Sequence, residues 1–102
     1  MQQWHYEAIC NITASLLGRF SFVKSACLFG SVARHEADAH SDVDIIVDID
    51  KSHSGFGMMF IELSLALEEK LQRHVDLLTL DAVLQSPVLD GIPDEAVLIY
   101  EK

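Results

Sequence analysis

The run from Val43 to Ile49 alternates. Val43, Ile45, Val47 and Ile49 fall on one side of an extended chain, and Asp44, Ile46 and Asp48 fall on the other. A strand of this kind has one face for a core and one that carries acids, so the chain has to form a sheet with helices on its apolar side. The flanking segments supply the rest. Residues 3–19 place Trp4, Ala8, Ile9, Ile12, Leu16 and Leu17 at helical spacing, with Gly18 as the stop. Val23 to Phe29 is an apolar run ending in Gly30, which predicts a buried strand entering a turn. Ser31 to Ala37 contains good helix formers, enough for two turns. Asp38-Ala39-His40-Ser41 and Lys51 to Gly57 read as loops.

Met58 to Arg73 is the longest helical segment, with one stripe of Phe60, Leu63, Leu67 and Leu71 and a second of Met58, Ile61 and Leu65. Val75 to Leu80 reads as a third strand, and Asp81 as the cap of a short helix reaching the Ser86-Pro87 break. The tail holds a turn of helix around Leu89, a Gly-Ile-Pro turn and an apolar end, Ala96 to Tyr100. The order helix, strand, helix, strand, helix, strand predicts an α/β fold of the α+β type, a small mixed sheet packed with helices. It leaves the strand order open.

A length of 102 residues suits one domain, 1–102. An apolar fraction of 50% excludes a disordered chain, despite sixteen Asp and Glu against seven Lys and Arg and a net charge of −9. That field repels nucleic-acid backbones and anionic membranes, so neither is expected as a direct partner. Cys10 and Cys27 read as buried small hydrophobes rather than a disulfide framework. No secretory signal or membrane-spanning run is visible, which predicts a cytoplasmic protein. A short chain this rich in apolar residues has to leave some on its surface. The second stripe of the long helix, or the apolar tail near Ile99 and Tyr100, is therefore expected to meet a partner protein.

The chemistry concentrates between residues 29 and 48. Asp42 and Asp44, two apart at the start of a strand, project to one face with Cα atoms roughly 6.5–7 Å apart. Two such carboxylates repel unless a cation lies between them, and Mg²⁺ is the usual choice where substrate phosphates share the site. Asp76 sits near the start of the Val75–Leu80 strand and joins the same cluster if that strand pairs beside Val43–Ile49. That would give the three carboxylates of a two-metal site. Upstream, Gly30-Ser31 follows a strand and opens a helix. Glycine lets the backbone approach a phosphate, and the amides with the Ser31 hydroxyl can bind its oxygens. His5, His35, His40, His53 and His74 show no metal-ligand spacing and are assigned surface or core roles.

Gly30-Ser31-x-Ala33-Arg34 followed by Ser41-Asp42-x-Asp44-x-x-Val47 resembles the signature of the DNA polymerase β-like nucleotidyltransferases. It is most similar to the minimal nucleotidyltransferase antitoxins, the MntA-like partners of HEPN-domain toxins. The likeness extends from Leu28-Phe29 to Val75-Asp76-Leu77-Leu78, nearly the whole chain. It implies a polymerase β-like palm in which Gly30 and Ser31 hold the triphosphate of ATP. Asp42 and Asp44 would ligate two Mg²⁺ ions, and Asp76 would hold the catalytic one and help take the proton from the attacking hydroxyl. Arg34 matches the family arginine, as a nucleotide contact or as a structural salt bridge. His35 stands where the family commonly has Gly, and Asp48 is expected outside the metal shell.

The resemblance implies transfer of AMP from ATP to a hydroxyl, a tyrosine of a cognate HEPN ribonuclease toxin, which silences it. Two rivals stand beside this reading: an antitoxin that neutralises by stoichiometric binding alone, and a transferase acting on small molecules.

Overall fold

The computed structural model describes residues 3–38, 40–52, 55–88 and 91–102. Its elements in chain order are α1 (Gln3–Leu17), β1 (Val23–Phe29), α2 (Gly30–Ala33), β2 (Val43–Ile49), α3 (Phe56–Leu71), β3 (Val75–Thr79), α4 (Leu80–Gln85) and β4 (Val97–Glu101). The strands form one mixed sheet in the order β3-β2-β1-β4. β1 runs antiparallel to both β2 and β4, while β2 and β3 are parallel and joined across the sheet by α3.

The alternation of β2 holds: Val43, Ile45, Val47 and Ile49 are buried in a core with Leu16 and Leu17 of α1 and Leu63 and Leu67 of α3. β1 joins the same core with Val23, Ala26 and Leu28. A shift in the ladder between Val23 and Ser25 gives β1 one extra residue, so Val23 and Ala26 both face the helices although three apart. On the opposite face α4 sets Val83 over Phe29 and Ile46, a much smaller cluster. Among the described residues no helix is long and apolar enough to cross a membrane.

Several boundaries differ from expectation, each for a local reason. α2 is one turn rather than two because it closes in a Schellman motif. His35 N–H donates to Val32 O at 3.1 Å and Glu36 N–H to Ser31 O at 2.9 Å. This turns the backbone at His35 into the left-handed region, φ 60°. The ring of His35 lies against that of Tyr6, centroids 4.2 Å apart. Histidine thus takes a conformation that glycine adopts more easily. α3 likewise stops at Leu71, since Gln72 is left-handed with φ 55° and donates its N–H to Glu68 O. Arg73 lies outside the helix and donates to Asp38 O instead.

α4 begins at Leu80, which leaves β3 at Thr79, and its cap is Thr79 rather than Asp81: the Thr79 hydroxyl accepts from Ala82 N–H at 3.2 Å. The apolar end is a strand, β4. Its Ile99 and Tyr100 pack on the core, so they are not a free docking surface. Cys10 and Cys27 are half-buried. Ile12 is 37% exposed rather than a core residue of α1. The side chains of Trp4 and His5, and the expectations at His53 and around Leu89, lie outside the described residues.

Candidate functional site

The polar end of the open face is built where three elements meet. β1 ends at Phe29, which pairs with Asp44 at the start of β2, so Gly30 begins α2 directly beside that aspartate. Gly30 has φ 74°, and a Cβ built on it would lie 2.0 Å from Asp44 Oδ2. Glycine is therefore required twice, for the left-handed backbone and for room beside the carboxylate. On the other side of β2, the parallel register sets Asp44 opposite Asp76 of β3. The two acids project to the same face from adjacent strands, about 4.8 Å apart in the sheet.

Asp42 is placed by the loop before β2. Asp38 Oδ1 accepts from His40 N–H at 2.8 Å and from the Ser41 hydroxyl at 3.2 Å, while Ser41 Oγ accepts from Asp38 N–H at 3.0 Å. This closed turn delivers Asp42 to the strand's entrance, where its Oδ2 lies 3.5 Å from His74 Nδ1. Burial pushes the Asp44 carboxyl above the usual carboxylate range, and the charges of Asp76 and Asp42 push it further; Arg34 and His74 act in the opposite direction. The site is therefore short of positive charge at Asp44.

The structure sets Asp44 opposite Asp76 and beside Gly30, with Ser31 next along α2, and leaves Asp42 one residue before β2, beside His74. Arg34 points to the salt-bridge alternative: its Nε lies 2.8 Å from Glu36 Oε1 and its Nη1 3.1 Å from Glu95 Oε2. Asp48 is further along the strand, paired with Lys24 at 3.8 Å. Two residues escaped the sequence reading. His74 received only a surface or core role, yet it touches Asp42. The parallel pairing that brings it there, with Val43 N–H donating to His74 O at 3.0 Å, could have been read only from the strand order. Glu95, in the unassigned stretch before β4, accepts from Gly30 N–H at 3.2 Å and carried no local signal at all.

Among the described residues, no three His, Cys, Asp or Glu side chains stand close enough to form a finished metal cage. The donor set, carboxylate oxygens around an under-neutralised Asp44, nevertheless suits a hard cation such as Mg²⁺. A groove of about 310 Å³ lies elsewhere, between α1 and α3, lined by Ile12, Leu16, Arg19 and Lys70 among others. None of the site residues expected from sequence lines it. An open acidic ledge beside a backbone N–H turn is a place for a charged ligand to lie across, with its phosphates on one part and a cation on the other.

Residues 11–102 match the family described as Polymerase beta, Nucleotidyltransferase, and the chain belongs to it. Its class of enzyme is the nucleotidyltransferases, as the Gly30-to-Asp44 signature implied. A protein of Methanocaldococcus jannaschii named "Putative protein adenylyltransferase" is 41% identical over 76 residues, 74% of this chain and 77% of that protein. A second of the same name and organism is 35% identical over 77 residues, 76% of this chain and 77% of its own length.

Among solved structures, a toxin-antitoxin pair titled MntA-HpeT contains a chain with TM-score 0.67 and 26% identity. The match covers 90% of this chain and 72% of that one. A toxin-antitoxin crystallised with AMP-PNP gives TM-score 0.71 at 24% identity, covering 91% of this chain and 73% of that one, a likeness of fold.

Proposed function

We propose that this chain is an antitoxin of the protein adenylyltransferase type, which moves AMP from ATP to a hydroxyl of a partner toxin. The observation that carries the reading is the register of β2 and β3, which sets Asp44 beside Asp76 and next to the Gly30 turn. The names of the archaeal relatives, and the toxin-antitoxin structures with the same fold, support the choice of acceptor class.

In this reading Gly30 N–H and the Ser31 hydroxyl orient the β- and γ-phosphates, and Asp42, Asp44 and Asp76 hold Mg²⁺. The bound cations would neutralise the triphosphate and ease ionisation of the acceptor. The acceptor oxygen attacks the α-phosphorus, the bond from that phosphorus to the bridging oxygen breaks, and pyrophosphate leaves. Asp76 receives the hydroxyl proton. Positioning and charge neutralisation account for the acceleration, as in other phosphoryl transfers. The acceptor is a tyrosine of a HEPN-type ribonuclease, and the work is done in the cytoplasm, where Cys10 and Cys27 stay reduced. The outward stripe of α3, with Met58 66%, Ile61 53% and Leu65 61% exposed, is offered as the docking face.

The test is co-expression with the HEPN protein of the adjacent gene, followed by intact-mass measurement of that protein. One or more AMP additions are expected with the wild type and none with Asp44→Asn, although both bind the toxin. A toxin that both silence without modification would leave stoichiometric binding as the function.

A further inference from the structure

Glu95 is 65 residues from Gly30 in sequence, yet its Oε2 accepts the Gly30 N–H at 3.2 Å and Arg34 Nη1 at 3.1 Å. One oxygen thus gathers a backbone amide and a guanidinium, the donors a phosphate oxygen would gather in the same place. Carboxylate and phosphate oxygens ask the same of such donors, negative charge at short N···O distance, and one N–H cannot serve both fully. Resting on the reading given under Proposed function, we infer that Glu95 is an internal anion that occupies the phosphate turn until the triphosphate displaces it.

Further observations bear on this. The seat suits an anion, since Gly30 N–H and Arg34 Nη1 converge on Glu95 Oε2. Glu95 is ionised: its carboxyl is held below the usual range by its own backbone N–H, and further by the Gly30 amide and by Arg34. Arg34 has a second carboxylate partner, since its Nε donates to Glu36 Oε1 at 2.8 Å. Glu95 belongs to a short turn before β4, in which Ala96 N–H donates to Pro93 O at 3.1 Å. A carboxylate in this place competes with the triphosphate, lowers nucleotide affinity and keeps the Gly30 amide satisfied until the nucleotide arrives.

The experiment is calorimetric titration of the full chain with Mg-ATP, in the absence of toxin, for wild type, Glu95→Ala, Glu36→Gln and Ser31→Ala. Glu36→Gln removes the same charge from the same arginine without touching Gly30, so it measures the general effect of lowering negative charge. Glu95→Ala is expected to bind Mg-ATP about three- to tenfold tighter than wild type, and Glu36→Gln less than about twofold tighter. Affinity in Glu95→Ala that is unchanged, weaker, or no tighter than in Glu36→Gln overturns the role of Glu95. If Ser31→Ala weakens binding in that case, the phosphate turn itself stands. If Ser31→Ala and Glu95→Ala both leave the affinity at the wild-type value, the nucleotide does not enter here, and the parent reading falls as well.

Discussion

On one face of the sheet, Leu17 of α1 and Leu63 and Leu67 of α3 share a core with Val43, Ile45 and Val47, and none of the six has any exposed surface. On the other face, Val83 of α4 covers Phe29 and Ile46, and past them Asp44 is half-buried and Asp76 exposed. The same strand, β2, serves both. Its even positions keep like charges together, an arrangement that works against folding, and its odd positions supply the burial that offsets it. Holding stability on one face is what allows the other to stay acidic and open. A chain with both faces packed would have no ledge for a charged ligand.

The largest test of that contrast is Leu67→Ala. Emptying a fully buried leucine site should cost about 3–4 kcal/mol, measured by urea unfolding, a large part of what a domain of this size possesses. A loss below about 1 kcal/mol would mean that the helix-covered face is not where stability resides.

Asp44→Asn should act with the opposite sign. Asp44 has a folded-state pKa raised above its ordinary value by burial and by its acidic neighbours. Between those two values the folded chain retains a proton that the unfolded chain has lost. Stability therefore falls as pH rises through that window and stays lower above it. Asparagine removes this penalty, so the variant should melt about 2–4 °C higher at pH 7. The gain should vanish below the ordinary aspartate value. A gain that persists in strong acid would trace to packing, not charge.

The smallest effect is expected at Leu65→Ala, on the outward side of the helix that carries Leu67. With 61% of Leu65 exposed, the free chain should change by no more than about 0.5 kcal/mol in the same urea titration. A cost resembling that of Leu67→Ala would show that this stripe is part of the core and that α3 has no free face.

Much of this was legible. The alternation of Val43–Ile49 set the strand and its two faces, and the two stripes of α3 foretold one buried and one exposed side. The joint spacing of Gly30, Ser31, Asp42 and Asp44 identified the family. What the sequence hid depended on contacts between distant residues or on backbone turns. His35 stops α2 by adopting a left-handed conformation that is uncommon outside glycine, against helix formers at Glu36 and Ala37. β4 looked like a loose end because its partner, β1, lies some 70 positions away, with Ser25 paired to Glu101. Glu95 and His74 were invisible for the same reason: nothing local says that one reaches Gly30 and the other Asp42.

The pairing of β4 with β1 also furnishes a reporter. Cys27 sits in β1 opposite Leu98, flanked on its other side by Ile46 of β2. Burial raises its thiol pKa, so a soluble alkylating reagent reacts with it slowly while the sheet is closed. When β4 peels away, β1 becomes an edge strand and the thiol meets solvent. Labelling kinetics in a Cys10→Ala background would then read the opening free energy of that single strand, separately from global unfolding. Because the segment bearing Glu95 leads straight into β4, the same clock would register whether filling the nucleotide turn loosens or tightens the last strand of the sheet.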